Sequence, residues 1–87
     1  MASKCNQQRA QIQQLENDVA ALKVYADANT VTTASIEVVV RINARLDTAF
    51  RQCQALLDDV DRFQDPALYY RLLTTYRTLF SVFQKWD

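Results

Sequence analysis

Four aspartates, Asp58, Asp59, Asp61 and Asp65, fall within eight consecutive residues and form the densest group of potential metal ligands in the chain. A calcium-binding loop needs a turn glycine and a closing glutamate, and a magnesium motif needs paired aspartates at a different spacing. The chain contains no glycine. The cluster therefore reads as the solvated end of one helix lying near the positive N-terminus of the next. Cys5 and Cys53 would act as nucleophiles only if a neighbour lowered their pKa, and there is no histidine anywhere to do so. Both occupy apolar rows and read as small core hydrophobes. Tyr25, Tyr69, Tyr70 and Tyr76 read as packing residues with a wet hydroxyl. No catalytic residue, cofactor-binding residue or metal ligand is assigned, and the chain is read as non-enzymatic.

The 87 residues suffice for one small core, so 1–87 is a single domain. The 49% of apolar residues is too high for generic disorder. Ten basic side chains balance ten acidic ones, leaving no overall field to attract nucleic acid or an anionic membrane. Arg41 and Arg45 share a helix face, but Glu37 and Asp47 adjoin them, so no basic stripe forms and nucleic acid is not expected as a partner. Two widely separated cysteines are expected to stay reduced. With no apolar run at the start and no stretch of about 18 apolar residues, an intracellular and most simply cytoplasmic location is expected.

The elements that position these residues are helices. From Cys5 through Ile12, Val19 and Ala26, with Leu15 and Leu22 between, apolar residues recur at heptad spacing in a mostly polar segment. Such a narrow seam suits a coiled coil. Gln8 interrupts it, so the first two turns are expected to be weaker. The β-branched and hydroxyl residues of 29–35 suit a reversal, with Asn29 as a left-handed terminator and Thr33 or Ser35 as the next N-cap. Strands over 30–33 and 36–42 are the alternative. A longer helical register opposes them: Val39, Leu46, Cys53 and Val60, with Ile42, Ala49, Leu56 and Phe63. The pairs Glu37 with Arg41, Asp47 with Arg51 and Asp58 with Arg62 have the favourable i,i+4 orientation.

Asp65-Pro66 closes that helix and opens the next, with aspartate as N-cap and proline in the first turn. The third helix is expected to bury Tyr69, Tyr76 and Phe83 together with Leu72, Leu79 and Trp86. The expected fold is all-α, with helices at about 4–28, 33–64 and 66–86. Residues 33–86 form a helical hairpin and 4–28 a coiled-coil arm, in a three-helix or oligomeric bundle. Residues 29–65 carry four basic and six acidic side chains and residues 66–87 three and one, so the second and third helices are expected to attract each other.

At 1.5 Å per residue the three helices would measure roughly 37, 48 and 31 Å. A middle rod of that length would leave apolar rows uncovered, which implies association. The expected partner interface comprises Ile12, Leu15, Val19, Leu22, Ile36, Val39, Ile42, Phe80, Phe83 and Trp86. The expected function is that of a structural or protein–protein interaction subunit in a homo- or hetero-oligomeric assembly. Asn43 would either set register there or face solvent. The alternative is a peripheral membrane module using helix 66–86, whose aromatics alternate with Arg71, Arg77 and Lys85.

Overall fold

A computed structural model of the protein describes residues 4–86. It contains three α-helices, α1 (Lys4–Asp27), α2 (Ile36–Asp59) and α3 (Pro66–Trp86), and no strand among the described residues. Every helix packs against both others in an elongated bundle of 47 × 23 × 17 Å. The α1 and α3 helices run parallel and α2 runs against them. Arg9, Glu16 and Asp27 meet Asp65, Arg71 and Lys85 in that order, whereas Gln8, near the start of α1, meets Asp59 at the end of α2.

The first reversal is built from side chains that compete with the helix for backbone partners. Asn29 ends α1, but not by the left-handed conformation expected of it, since no described residue has positive φ. Its amide nitrogen instead donates to the carbonyl of Tyr25 at 2.7 Å, satisfying a terminal carbonyl without the steric cost of the left-handed region. Thr30 accepts from the backbone N–H groups of Thr33 and Ala34, so 30–33 is a turn and not a strand. Ser35 is the N-cap of α2, its hydroxyl accepting from the N–H of Val38 at 3.3 Å.

The second reversal differs more from expectation. The α2 helix stops at Asp59, five residues before Gln64, because Val60 turns to extended backbone at φ −82°, ψ 128°. The Asp61 carboxylate then accepts from the N–H groups of Phe63 and Gln64, offering them a local partner in place of the helical ladder. Phe63 therefore leaves the core row and stands 82% exposed. Arg62 is no longer one helical turn from Asp58, and its guanidinium lies 4.9 Å from the Phe63 ring. Asp65 caps α3 as expected, accepting from the N–H of Leu68 at 3.1 Å.

With α2 shortened, the helices contain 24, 24 and 21 residues, or roughly 36, 36 and 32 Å. The overhang expected of the middle helix does not exist. Ile12, Leu15, Val19, Leu22 and Ala26 from α1 meet Ile42, Leu46, Ala49 and Cys53 from α2 and Leu68, Leu72, Leu79, Val82 and Trp86 from α3 in one core. The buried stripe of α3 also includes Thr75, whose hydroxyl donates to the carbonyl of Arg71 at 3.0 Å. Tyr76 is displaced from the core and Tyr69 and Phe83 sit only half-buried, because the broad apolar arc of α3 is centred between α1 and α2.

Leu72→Ala empties a fully buried site and is expected to lower unfolding free energy by about 2–5 kcal/mol, whereas Phe63→Ser should change it by no more than about 0.5 kcal/mol. Urea unfolding followed by circular dichroism measures both, and equal losses would show that Phe63 belongs to the core after all.

Candidate functional site

The three grooves of the bundle differ in what fills them. Between α1 and α3 the margin is closed by charge. Arg71 donates from Nε and Nη2 to the two oxygens of the Glu16 carboxylate, and also from Nη2 to the Gln13 amide oxygen at 3.3 Å. Lys85 lies 3.6 Å from Asp27, and Arg9 lies 3.7 Å from Asp65. Hydrogen bonding to Glu16 pushes the Arg71 guanidinium further above its already high pKa. These pairs are too solvated to contribute more than about 1 kcal/mol each. Their effect is to set the parallel register, and they join α1 to α3 where the charge totals had pointed to α2 and α3.

Between α1 and α2 the groove is open and its floor is small. Gln11, Gln14, Asp18, Gln52, Ala55 and Leu56 help line a cavity of about 590 Å³. A second of about 430 Å³ continues it past Ala21, Ala44 and Arg45. The lining is mostly amide and methyl groups. Gln8 closes the lower end of this seam: it is buried, and its amide donates to the Asp59 carboxylate at 2.7 Å and the Asp59 carbonyl at 3.3 Å. The residue expected to weaken α1 thus satisfies the end of α2.

Between α2 and α3 the lining is aromatic. Phe50 of α2 meets Tyr76 and Phe83 of α3 edge to face, with centroids 5.5 and 6.0 Å away and ring planes at 70° and 85°. Phe80 stacks beside Phe83 at 6.3 Å. With Gln54 these four rings line an open cavity of about 300 Å³. Tyr76 remains 38% and Phe80 45% exposed, and Ile36 and Val40, one turn apart near the start of α2, are 82% and 60% exposed. Steps of 100° per residue place Ile36, Asn43, Phe50 and Gln54 on one side of α2, the side bordering α3.

The expected interface residues divide accordingly. Ile12, Leu15, Val19, Leu22, Ile42 and Trp86 lie in the intramolecular core. Val39 and Phe83 are half-buried against it, while Ile36 and Phe80 face solvent. Asn43 is half-buried, and its amide donates to the carbonyl of Val39 at 3.0 Å within α2. Tyr76 and Val40 are the surface residues that sequence reasoning missed, and Phe50 lines the groove while half-buried against the core. Tyr76 had been placed in a buried row, and Val40 belonged to no row.

Three of the four clustered aspartates are otherwise engaged. Asp61 and Asp65 cap backbone, and Asp59 accepts from Gln8. No three acidic or cysteine side chains among the described residues gather as metal ligands. Cys53 is a free, buried thiol directed at the carbonyl of Leu72, 3.7 Å away, and burial pushes its pKa up to about 11. The Cys5 side chain lies outside the described residues. The indole N–H of Trp86 is buried without a hydrogen-bond partner among them. No described helix is long and apolar enough to cross a membrane. No family model matches the sequence, and no curated protein and no solved structure is significantly similar to it.

In a Cys5→Ser background, maleimide labelling of Cys53 should be far slower in the native chain than in urea, because the thiolate is both scarce and shielded. The raised thiol pKa means that its contribution to stability is full below the unfolded value near 9 and falls as pH climbs towards 11. Equal labelling rates in the native and unfolded chains would contradict the burial of this thiol.

Proposed function

We propose that this protein is a non-enzymatic interaction subunit, a small helical bundle that joins an assembly through the face between α2 and α3. The observation that carries this reading is the contrast between the closed core and the open aromatic groove bordered by Ile36, Val40, Tyr76 and Phe80. Large apolar side chains grouped on one face lose their contact with water when another surface covers them. Tyr and Phe also provide broad contact at little conformational cost.

This narrows the interface read from the sequence. Ile36, Val39, Phe80 and Phe83 remain as contributors, and Phe50 and Tyr76 join them. Ile12, Leu15, Val19 and Leu22 already have intramolecular partners, so the heptad-spaced seam of α1 serves the chain's own fold. The partner is another helical protein or a second copy of the chain. An intracellular, cytoplasmic setting belongs to the same proposal and is supported by the free thiol of Cys53.

The lipid-binding alternative has less support. Leu72, Leu79 and Trp86 of α3 are buried, and Arg71 and Lys85 are turned to carboxylates on α1. A membrane helix would need those apolar side chains and cations free.

Light scattering and chemical cross-linking of the full chain, with affinity capture from native extract, provide the test. The expected result is a mass above that of the monomer or a stoichiometric protein partner. Either should be lost in Ile36→Ser/Phe80→Ser while the circular dichroism spectrum keeps its helical form. A monomer that captures no stoichiometric partner, or association that the double variant leaves unchanged, would sink the proposal. Binding to anionic vesicles in its place would favour the lipid reading.

A further inference from the structure

The groove between α2 and α3 is long enough to seat a helix. From Ile36 to Gln54 its α2 wall rises roughly 27 Å, about five helical turns, and Ile36, Val40, Tyr76 and Phe80 stand exposed beside it. A fourth rod laid there would cover those side chains and the four rings of the cavity. The charges on its margins restrict which rod that can be. Arg51 follows Phe50 and Arg77 follows Tyr76, each turned about 100° further from the core, and both are exposed. Phe50 meets Tyr76 and Phe83 across antiparallel helices, so the two arginines stand at nearly the same height on opposite margins of the rings.

Little in the chain offsets these cations. Asp47 pairs with Arg51 at 3.2 Å, but both side chains are widely exposed, so this i,i+4 pair holds Arg51 only weakly. Helix α3 has no acidic residue, and Arg77 has no ion-pair partner among the described residues. The next acid along α2, Asp58, is about 12 Å from Phe50 along the helix axis, more than a screening length at physiological salt. The other polar groups lining the cavity, the Gln54 amide and the Tyr76 hydroxyl, are also able to donate hydrogen bonds. Cations and donors together suit carboxylates.

We infer that the groove between α2 and α3 seats an amphipathic helix of a different protein, its apolar stripe flanked on both edges by aspartate or glutamate. The inference rests on the proposed interaction function and chooses between its two kinds of partner. The apolar stripe covers Phe50, Tyr76, Phe80 and Phe83, and the flanking carboxylates meet Arg51 on one margin and Arg77 on the other. Coiled coils divide the work in this way, with an apolar seam for affinity and flanking charges for the choice of partner. A second copy of the chain fits less well. A two-fold axis along the helices would set Arg51 against Arg77 of the copy, and one across them at the cavity would oppose each arginine to itself. Like charges meet in both arrangements, which selects against self-pairing through this face.

The test uses the full chain and two helical peptides with leucine at heptad positions a and d, one carrying glutamate at e and g and the other lysine. Each peptide repels its own copies, so self-association does not compete with binding. Ring carbon and proton NMR shifts of Phe50, Tyr76, Phe80 and Phe83 are followed during each titration. The glutamate peptide should shift these rings and bind about threefold or more tightly than the lysine peptide, with the preference shrinking at high salt. Arg77→Gln, which leaves the Asp47–Arg51 pair in place, should reduce the preference while the helical spectrum stays intact. Equal affinities, tighter binding of the lysine peptide, absent ring shifts, or a preference that Arg77→Gln does not reduce would overturn the inference. A dimer of the chain alone that Phe80→Ser dissolves would also overturn it, because a second copy would then occupy the groove, and the interaction reading would stand. A chain that neither self-associates nor captures a stoichiometric partner would remove the interaction reading itself.

Discussion

Termination of α2 at Asp59 is the constraint on which the rest of the bundle depends. A helix continuing to Gln64 would overhang its neighbours by more than a turn and carry Phe63 in its core row. Because Val60 turns out of the helical conformation and Asp61 captures the next two backbone donors, the three rods come to nearly equal length. Equal rods can bury one another's stripes from end to end. Gln8 completes that closure by donating to the last residue of α2, which ties the beginning of the chain to the second reversal.

Closure of the core then separates three surfaces with different chemistry. Helix α1 uses its narrow apolar seam entirely inward and turns carboxylates and cations toward α3, so their shared margin is polar. Its other margin, toward α2, is lined by glutamines and alanines and stays open because those side chains are short or flexible. The third margin retains aromatic bulk because α3 has more apolar arc than two neighbours can cover. Leu68, Leu72, Leu79, Val82 and Trp86 occupy the inner part of that arc, and Tyr76 and Phe80 remain on its edge.

Much of the helical core was legible from period alone. Ile12, Leu15, Val19, Leu22, Ile42, Leu46 and Cys53 repeat at spacings that only a helix aligns, and Asp65-Pro66 marks a cap and first turn by their chemistry. The surface was less legible. A row of Tyr69, Tyr76 and Phe83 and a row of Leu68, Thr75 and Val82 have the same spacing on α3, and the aromatic row offers the larger side chains. Packing chose the other as the buried edge, with Thr75 accommodated by its bond to the carbonyl of Arg71. Gln8 was similarly opaque, since a polar residue in an apolar row reveals no partner until the opposing backbone is placed.

The amino-acid sequence by itself determined that the chain is helical, that it reverses around residues 29–35 and near Asp65-Pro66, and that Asp65 caps the third helix. Those properties depend on contacts within a few residues, including the carboxylate of Asp65 and the ring of Pro66. Only the tertiary structure decided where α2 stops, which face of α3 enters the core, and which helix receives the charges of Arg71 and Lys85. These outcomes depend on competition between rows of similar local merit. That competition is settled by how much surface three rods of equal length can cover together, and it leaves the aromatic margin between α2 and α3 exposed.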